Sequence, residues 1–354
     1  MRPTRALIDL DALRHNYRLA RTLHGGRALA VVKANAYGHG AIACARALEP
    51  DADGFAVAIL EEALSLRAAG IQKPVLVLEG VFSADELPLV IDHDLWIVVH
   101  HAGQLAMIEA ATPGCALSVW LKMNSGMNRA GFEPSAYAHA WQRLSASGKV
   151  GEITLMTHLA RADEPDEEAT RDQIETFDAV TKDLPGPRSI SNSAGILGWP
   201  DGHRSWARPG IMLYGADPMP AEGHGVRPVM SLESTVIAVR EIAAGEPVGY
   251  GARFRAPRTT RVGLVAIGYA DGYPRAVPDG TPVAVDGTLT RIIGRVSMDM
   301  LTVDLTDLPA SGPGSRVELW GNEIPVNRIA QAAGTIAYEL LCNVKRVQFE
   351  YTGN

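Results

Sequence analysis

Hydrophobic and polar positions follow two different patterns along the chain, and the change falls between residues 217 and 228. Before it, short runs of Val, Ile and Leu are separated by longer amphipathic stretches. This alternation predicts strands that are buried on both faces, each followed by a helix, and hence a parallel sheet. The predicted strands are residues 28–33, 54–59, 74–79, 95–100, 116–123, 152–158, 188–191 and 207–214.

Eight strand and helix units in fewer than 230 residues favour a closed (β/α)8 barrel over an open sheet. Stretch 217–228 is rich in Pro and Gly, so we place the domain boundary there, with a barrel over 1–223 and a second domain over 224–354. The first few residues are free to pack with the second domain. Beyond the boundary, strands with alternating apolar and polar residues are separated by Asp-Gly turns, of which Asp286-Gly287 is the clearest. This pattern predicts a mostly antiparallel β domain, with one helix over 326–341.

Composition and charge exclude several classes of function. The 354 residues carry a net charge of -7, which offers no basic surface for nucleic acid or anionic lipid. The three cysteines form no CxxC pair, so they predict neither a disulfide framework nor a thiolate metal site. The sequence also lacks an HExxH motif, which would have indicated a zinc site. The chain shows neither a signal peptide nor an apolar run of about 18 residues, so we expect a cytoplasmic protein without a membrane anchor.

Reactive side chains lie where several of the predicted strands end, which is the active-site end of such barrels. They are Lys33, Lys122, Arg129, His158, Ser193 and Arg208. Lys33 is unusual in an apolar run because burying an unpaired ammonium is costly. Such a lysine commonly has a lowered pKa or is converted to an imine. A snorkelling or ion-paired lysine remains an alternative. Neither GxxxxGK[ST] nor a convincing GxGxxG motif is present, which argues against a nucleotide cofactor.

The segment VVKANAYGHG, residues 31–40, resembles the pyridoxal-phosphate attachment motif of the alanine racemase family. Similar segments follow in the family's order over nearly the whole chain: LKMNSGMNRAGF, MTHLARADE, SNSAGIL, ARPGIMLYG, VGYGARF, IGYADGYPR, GRVSMDM and TIAYELLC. The resemblance implies a barrel that binds pyridoxal phosphate, followed by a β domain. Periodicity predicts the same architecture independently.

The resemblance assigns two catalytic bases. Lys33 holds the cofactor covalently and then acts as a base on one face of the substrate's α-carbon. Tyr250, in VGYGARF, matches the base on the opposite face. A tyrosine between glycines is by itself more often a packing residue, so this assignment depends on the motif.

The resemblance also assigns cofactor contacts. Arg208 lies against the pyridine nitrogen, and because an arginine does not give up its proton, the ring withdraws electrons only weakly and side reactions such as transamination are disfavoured. His158 stacks on the ring and bonds to Arg208. Residues that match phosphate-binding positions are Tyr37, Ser193, Gly210, Ile211 and Tyr338.

Substrate contacts follow from the same resemblance. Arg129 binds the substrate carboxylate, and Lys122 is carbamylated so that its negative charge orients Arg129. Met298 and Asp299 match a pair close to the substrate. The residues that match the narrow access corridor are Tyr269, Arg275, Arg295 and Ile336.

In this family Tyr250 and Met298 belong to the partner subunit's site, so the resemblance implies a homodimer with shared active sites. The leading hypothesis is an alanine racemase that serves peptidoglycan synthesis or D-alanine catabolism. Two alternatives stay open. A related barrel-type amino-acid racemase or decarboxylase is one, although a decarboxylase needs an acidic residue where Arg208 stands. A non-catalytic pyridoxal-phosphate-binding protein is the other, although such proteins are single barrels.

Overall fold

The structure is a computed structural model that describes residues 2–111, 116–219 and 223–353. It divides into two compact units. The barrel unit contains Arg14–Leu213 and Asp217–Val226, and the β unit contains Met1–Leu13, Tyr214–Ala216 and Arg227–Asn354. Cys115, and residues 220–222 within the predicted boundary stretch, lie outside the described residues.

Eight parallel strands close into a barrel in chain order, which confirms the predicted (β/α)8 architecture. The barrel strands are β2 (Arg27–Val31), β3 (Gly54–Val57), β4 (Val75–Val77), β5 (Trp96–Val99), β6 (Leu117–Lys122), β7 (Val150–Met156), β8 (Arg188–Ser189) and β9 (Trp206–Ala207). Most of their side chains are buried, as the apolar runs predict.

Helices alternate with these strands. They are α1 (Leu10–His24), α2 (Lys33–Tyr37), α3 (Ala41–Leu48), α4 (Leu60–Ala68), α5 (Leu87–Asp92), α6 (Ala102–Ala110), α7 (Pro134–Ala146), α8 (Ala169–Thr181) and α9 (Ser193–Gly198), with short 3-10 helices at Ala84–Glu86, Pro200–Gly202 and Ile211–Tyr214. Of these, α2 is a single left-handed turn and not an ordinary helix. Pro134 occupies the start of α7, where its missing N–H costs no helical hydrogen bond. None of the helices in the described ranges is long and apolar enough to cross a membrane.

The prediction is wrong about where the barrel strands end, because each of the eight ends before its predicted last residue, and two of these differences bear on the site. The first ends at Val31, and Lys33 lies beyond it in a turn. The last contains only Trp206–Ala207, and Arg208 follows it instead of lying within it. Pro209 explains this early end because proline has no N–H with which to continue a strand ladder.

Three tryptophans pack together within the barrel unit. Trp96, Trp120 and Trp206 have ring centroids 5.7 to 6.3 Å apart, and the guanidinium of Arg27 lies 4.0 Å above the ring of Trp206. Trp96 and Trp206 are the first residues of their strands, as is Arg27. This end of the barrel is therefore filled by packing, and the reactive residues lie at the opposite strand ends.

The β unit is built on an eight-stranded sheet, which confirms the mostly antiparallel second domain. Its strands are β1 (Arg5–Asp9), β10 (Met230–Ile242), β13 (Thr260–Val265), β14 (Pro282–Val285), β15 (Thr288–Arg291), β16 (Leu301–Asp304), β17 (Arg316–Trp320) and β18 (Gln348–Thr352). A separate pair contains β11 (Pro247–Val248) and β12 (Phe254–Arg255). Strand β1 comes from the start of the chain and pairs antiparallel with β10 and parallel with β18.

Residues with positive φ explain one correct and one wrong prediction in this unit. Asp286 and Gly287, with φ of 49° and 80°, connect β14 to β15 in the hairpin that the Asp-Gly pair predicts. The single helix predicted over 326–341 is instead two, α10 (Val326–Ala333) and α11 (Ala337–Cys342). Gly334 separates them because it takes the left-handed conformation, φ 70°, that ends a helix.

We expect acid to destabilise the barrel unit through two buried histidines. Burial lowers the pKa of His24 and of His39 to about 4. An unfolded chain binds these protons near pH 6.5, so folding stability is full above that value and falls as the pH drops from 6.5 towards 4. Removing one such histidine should reduce this slope by up to about 1.4 kcal/mol per pH unit.

Urea unfolding of His24→Gln at several pH values tests this prediction. The matched control is His139→Gln, because His139 is exposed on α7 and is solvated in both states. Equal pH slopes for the wild type and His24→Gln would contradict the prediction.

Candidate active site

The lysine predicted to hold the cofactor begins a left-handed turn. After Lys33, four successive residues, Ala34 to Tyr37, have φ between 51° and 54°. This conformation costs an L-residue roughly 1–2 kcal/mol. Strain of this kind persists only where the surroundings enforce it, and it concentrates at functional sites.

Side chains and backbone from neighbouring elements hold this turn in place. The carboxylate of Glu62, on α4, accepts the N–H of Ala34 at 2.6 Å and the N–H of Ala58 at 2.8 Å. The side-chain oxygen of Asn35 accepts the N–H of Ala41 at 2.9 Å. Glu62 therefore ties the turn after Lys33 to the end of the next barrel strand. Its position, one of two adjacent glutamates near a helix start, gave no signal by which sequence reasoning could identify it.

Arg208 lies at the end of the last barrel strand and is 4% exposed. Its guanidinium donates to Ser189 Oγ and to the carbonyl oxygens of Thr157 and Ile190, the latter two at 2.6 and 3.2 Å. Burial lowers the pKa of Arg208 to about 10, so the group is a cation at neutral pH. Within the described ranges no carboxylate lies within ion-pair distance of it. A buried cation held only by neutral acceptors is suited to face a neutral nitrogen or an anionic ligand.

His158 follows strand β7 and lies beside this arginine. The Nη2 atom of Arg208 is 3.5 Å from His158 Nδ1. Burial, with the positive charge of Arg208, holds the pKa of His158 well below its ordinary value. The ring is therefore neutral at physiological pH, which suits a side chain that packs against a ligand and not one that carries a proton.

Lys122 closes strand β6 in a strongly cationic environment. Burial and the charges of Arg129, Arg208 and Lys33 lower its pKa to about 8. Each of these three cations is thus close enough to Lys122 to repel its ammonium, and the structure brings them to the same end of the barrel. Lys122 is half-buried, whereas Arg129 is exposed.

The residues predicted to bind phosphate within the barrel unit form a close-packed cradle. Ser193 Oγ accepts the N–H of Gly210 at 2.9 Å and of Met212 at 3.3 Å. A Cβ on Gly210 would lie 2.5 Å from the Tyr37 hydroxyl oxygen, so only glycine allows this approach. Ile211 is buried directly after it. Tyr37, Ser193, Gly210 and Ile211 are therefore neighbours, as the resemblance implies.

A buried glutamine that sequence reasoning missed connects two loops of this end. Gln173, on α8, donates to Ser125 Oγ at 3.3 Å and to the carbonyl of His158 at 3.0 Å. Its side-chain oxygen accepts the N–H of Ala160 at 2.9 Å. The loop after Lys122 is thus linked to the loop that carries His158. A polar residue one position before Ile174 on the apolar face of α8 was the available signal.

The predicted second base belongs to the β unit. Tyr250 lies between the paired strands β11 and β12 in a short 3-10 helix, and 68% of its side-chain surface is exposed. The flanking Val248 forms a buried cluster with Val262 and Ile293, and Phe254 packs against this cluster, which anchors the hairpin. A Cβ on the neighbouring Gly251 would lie 3.9 Å from the guanidinium of Arg295.

The other predicted residues of the β unit lie on loops and on α11. Tyr269 and Met298 are exposed on two loops that backbone hydrogen bonds join, and Asp299 forms an ion pair with Arg346 at 2.7 Å. Ile336 is the residue before α11, and Tyr338 lies within it. The exposed members of the set are Tyr250, Tyr269, Arg275, Arg295, Met298, Ile336 and Tyr338.

The fold and the reactive residues of the barrel unit define a class of protein. It is a (β/α)8-barrel enzyme with its reactive side chains at the C-terminal ends of the strands. The alanine racemase N-terminal domain model matches residues 8–218, and the alanine racemase C-terminal domain model matches residues 229–351. The chain belongs to the alanine racemase family, which is a family of isomerases, and the resemblance seen in the sequence is confirmed.

Individual relatives agree over their full lengths. The alanine racemase of Aromatoleum aromaticum is 74% identical over 353 residues, with 100% of both chains covered. The catabolic alanine racemase of Pseudomonas putida is 60% identical over 356 residues, again with 100% of both covered. The crystal structure of the biosynthetic alanine racemase from Pseudomonas aeruginosa superposes with a TM-score of 0.97 at 48% identity and covers 100% of both chains.

Proposed function

We propose that this protein interconverts L-alanine and D-alanine with pyridoxal phosphate as its cofactor. The observation that carries the proposal is the group of cations at the barrel end, which includes buried Arg208 and Lys33 at the start of its strained turn. An anionic, lysine-attached cofactor and an amino-acid carboxylate supply the negative charge that such a group needs. The family membership supports the same substrate and cofactor.

The residues present fit pyridoxal phosphate. Gly210, whose Cβ would fill the space beside the Tyr37 hydroxyl, keeps open the cradle that Ser193 organises, and hydroxyl and backbone N–H groups of this kind suit a phosphate. We assign the phosphate to Tyr37, Ser193, Gly210 and Ile211, with Tyr338 as a further contact. His158 would pack on the ring of the cofactor, and Arg208 would donate a hydrogen bond to the ring nitrogen.

Two bases on opposite faces of the α-carbon complete the proposal. The bound cofactor withdraws electrons from the substrate and so makes the α-proton removable. Lys33 Nζ removes this proton from D-alanine, and the Tyr250 phenolic oxygen removes it from L-alanine; in each direction the other group returns a proton to the opposite face. Arg208 stays protonated and donates hydrogen bonds without releasing a proton, which limits side reactions.

Arg129 binds the substrate carboxylate through its guanidinium fork. Met298 and Asp299 complete the substrate site, and the access corridor is formed by Tyr269, Arg275, Arg295 and Ile336. Formation of D-alanine serves peptidoglycan synthesis, and the reverse direction serves D-alanine catabolism.

A homodimer with shared sites accounts for the exposed side chains of the β unit. Tyr250, Met298 and Ile336 are 68%, 54% and 61% exposed. Large apolar and aromatic side chains are exposed more often at interaction surfaces than elsewhere. We assign the Tyr250 and Met298 surface to the barrel end of a second copy of the chain.

We expect Lys122 to carry a carbamate. With its pKa lowered to about 8, a usable fraction of Lys122 is the neutral amine that attacks carbon dioxide, and this fraction grows as the pH rises towards 8. The reaction forms an N–C bond, releases one proton and leaves an anion among Arg129, Arg208 and Lys33. This anion removes the repulsion and orients Arg129.

Carbon NMR with labelled bicarbonate measures this modification. The wild type should show a carbamate signal that increases between pH 6.5 and 8 and that is absent from Lys122→Ala. Lys182→Ala is the control, since Lys182 is an exposed lysine after α8. An unmodified Lys122 amine in active enzyme would refute the expectation.

Proton NMR of L-alanine in heavy water tests the proposed function. With purified protein and pyridoxal phosphate, we expect loss of the α-proton signal together with the appearance of D-alanine. Release of an amine would instead indicate the related decarboxylase. No change, despite bound cofactor, would indicate the non-catalytic alternative.

A further inference from the structure

Segments distant in the β unit's sequence meet at one buried carboxylate, that of Asp271, which is 0% exposed. Arg2 donates two hydrogen bonds to it, one to each oxygen, at 2.5 and 2.7 Å. The N–H of Gly268 donates a third at 2.9 Å, and Arg346 Nε lies 3.6 Å away. The N–H of Lys345 donates to the Asp271 carbonyl at 3.0 Å. A buried carboxylate needs such partners because its desolvation is otherwise costly.

The same two arginines extend from Asp271 to Asp299. Arg2 Nη2 donates to the Asp299 carbonyl oxygen at 2.6 Å. Arg346 Nη2 donates to the Asp299 side chain at 2.7 Å. Asp299 is therefore held at its backbone by one arginine and at its carboxylate by the other. We call Arg2, Asp271, Asp299 and Arg346 the arginine clasp.

Backbone hydrogen bonds continue this connection into the loop that carries Met298. The N–H of Tyr269 donates to the Ser297 carbonyl at 3.0 Å, and the N–H of Ala270 donates to the Met298 carbonyl at 2.9 Å. A Cβ on Gly268 would lie 2.4 Å from both carbonyl oxygens, so the two loops pack as closely as their backbones permit. A displacement of either loop is thus transmitted to the other.

Some of the residues that the proposed function places at the substrate and its access corridor lie on the segments that the clasp joins. Tyr269 is two residues before Asp271, and Met298 directly precedes Asp299. Arg346 lies four residues after Cys342, the last residue of the helix that carries Tyr338. Of the clasp, only Asp299 is a residue that the proposed function places at the substrate, so Arg2, Asp271 and Arg346 can act there only through other residues.

We propose that Arg2 is a positioning residue of the racemase, which acts through Asp271 and Asp299 to hold Met298 at the substrate site and Tyr269 in the access corridor. This inference rests on the proposed function. The guanidinium is suited to the task because its planar fork bonds both oxygens of Asp271 while Nη2 also reaches the Asp299 carbonyl. A lysine ammonium can replace the charge but not this three-point geometry.

Variants Arg2→Ala and Arg2→Lys test the proposal. For Arg2→Ala we expect the KM for L-alanine to rise about tenfold while kcat changes less than about threefold, because substrate contacts loosen and the bases stay in place. Arg2→Lys should recover part of this loss. In protein without substrate, the amides of Tyr269 and Ala270 should exchange hydrogen faster in Arg2→Ala.

Arg5→Ala is the matched control. Arg5 is three residues away and forms ion pairs with Glu233 and Glu350, none of which belongs to the clasp. We expect its KM and its exchange at Tyr269 to match the wild type.

Three results would overturn the positioning role. They are an unchanged KM in Arg2→Ala, unchanged exchange at Tyr269 and Ala270, or equal changes in Arg5→Ala. A wild-type protein that does not racemise alanine would overturn the proposed function instead, and the exchange measurement would still test whether Arg2 holds the loops.

Discussion

Lys33→Ala is expected to lose covalent cofactor attachment and at least about a thousandfold of the racemase activity. The side chain has two tasks in the proposed function, since its Nζ attaches the cofactor and also moves the α-proton of D-alanine. Loss of a general base alone lowers a rate by about 10²–10⁴-fold. No other lysine can substitute, because only Lys33 begins the strained turn beside Tyr37 and Gly210.

Borohydride reduction followed by intact-mass measurement detects covalent attachment of the cofactor to the protein independently of racemase activity. The reduced wild type should gain the mass of one pyridoxyl phosphate, and reduced Lys33→Ala should not. The control, Lys182→Ala, should behave as the wild type because Lys182 is exposed and remote from the barrel strand ends. A full mass increase in Lys33→Ala would assign the attachment to another lysine.

Tyr250→Phe is expected to separate the two directions of proton removal. Without the phenolic oxygen, α-proton exchange of L-alanine with heavy water should fall by about 10²–10⁴-fold. Exchange of D-alanine, which depends on Lys33, should continue with retention of configuration. Net racemisation falls in both directions because each direction needs both bases.

Proton NMR of the separate enantiomers in heavy water measures these rates. Tyr351→Phe, which removes a hydroxyl from β18 of the same unit, is the control. Equal losses of exchange for L-alanine and D-alanine in Tyr250→Phe would count against two separate bases.

Mixing the two inactive variants examines whether sites are shared between subunits. If Lys33 and Tyr250 of one site come from different chains, a hybrid dimer of Lys33→Ala and Tyr250→Phe keeps one intact site. Random exchange of equal amounts makes half of the dimers hybrid, which returns roughly a quarter of the wild-type activity. No recovery after proven subunit exchange would place both bases in one chain.

Local patterns of apolar residues and turn residues predicted much of the architecture. The apolar runs predicted eight barrel strands because a strand buried on both faces needs an uninterrupted apolar sequence. The pair Asp286-Gly287 predicted its hairpin because those residues tolerate positive φ. The same reasoning failed where one residue interrupts a longer pattern, as Gly334 divides the predicted helix and Pro209 ends the last barrel strand.

The candidate site divides in a similar way. Lys33, Lys122, His158 and Arg208 could be found because reactive residues in or after apolar strands stand out, and the family motifs assigned them roles. Gln173 interrupts the apolar face of α8, which signals a buried polar group, but the helix pattern does not reveal its partners Ser125 and His158, which are distant in the chain.

The sequence by itself determined the fold class, the family and the residues that carry the chemistry, since these depend on periodicity and on motifs of adjacent residues. Only the tertiary structure decided the left-handed turn after Lys33, the buried position of Arg208 and the arginine clasp. Arg2 and Asp271 are 269 positions apart in the chain, yet Arg2 Nη1 lies 2.5 Å from Asp271 Oδ1. Charge, burial and hydrogen bonding act through distances in space, and a local pattern of residues does not contain these distances.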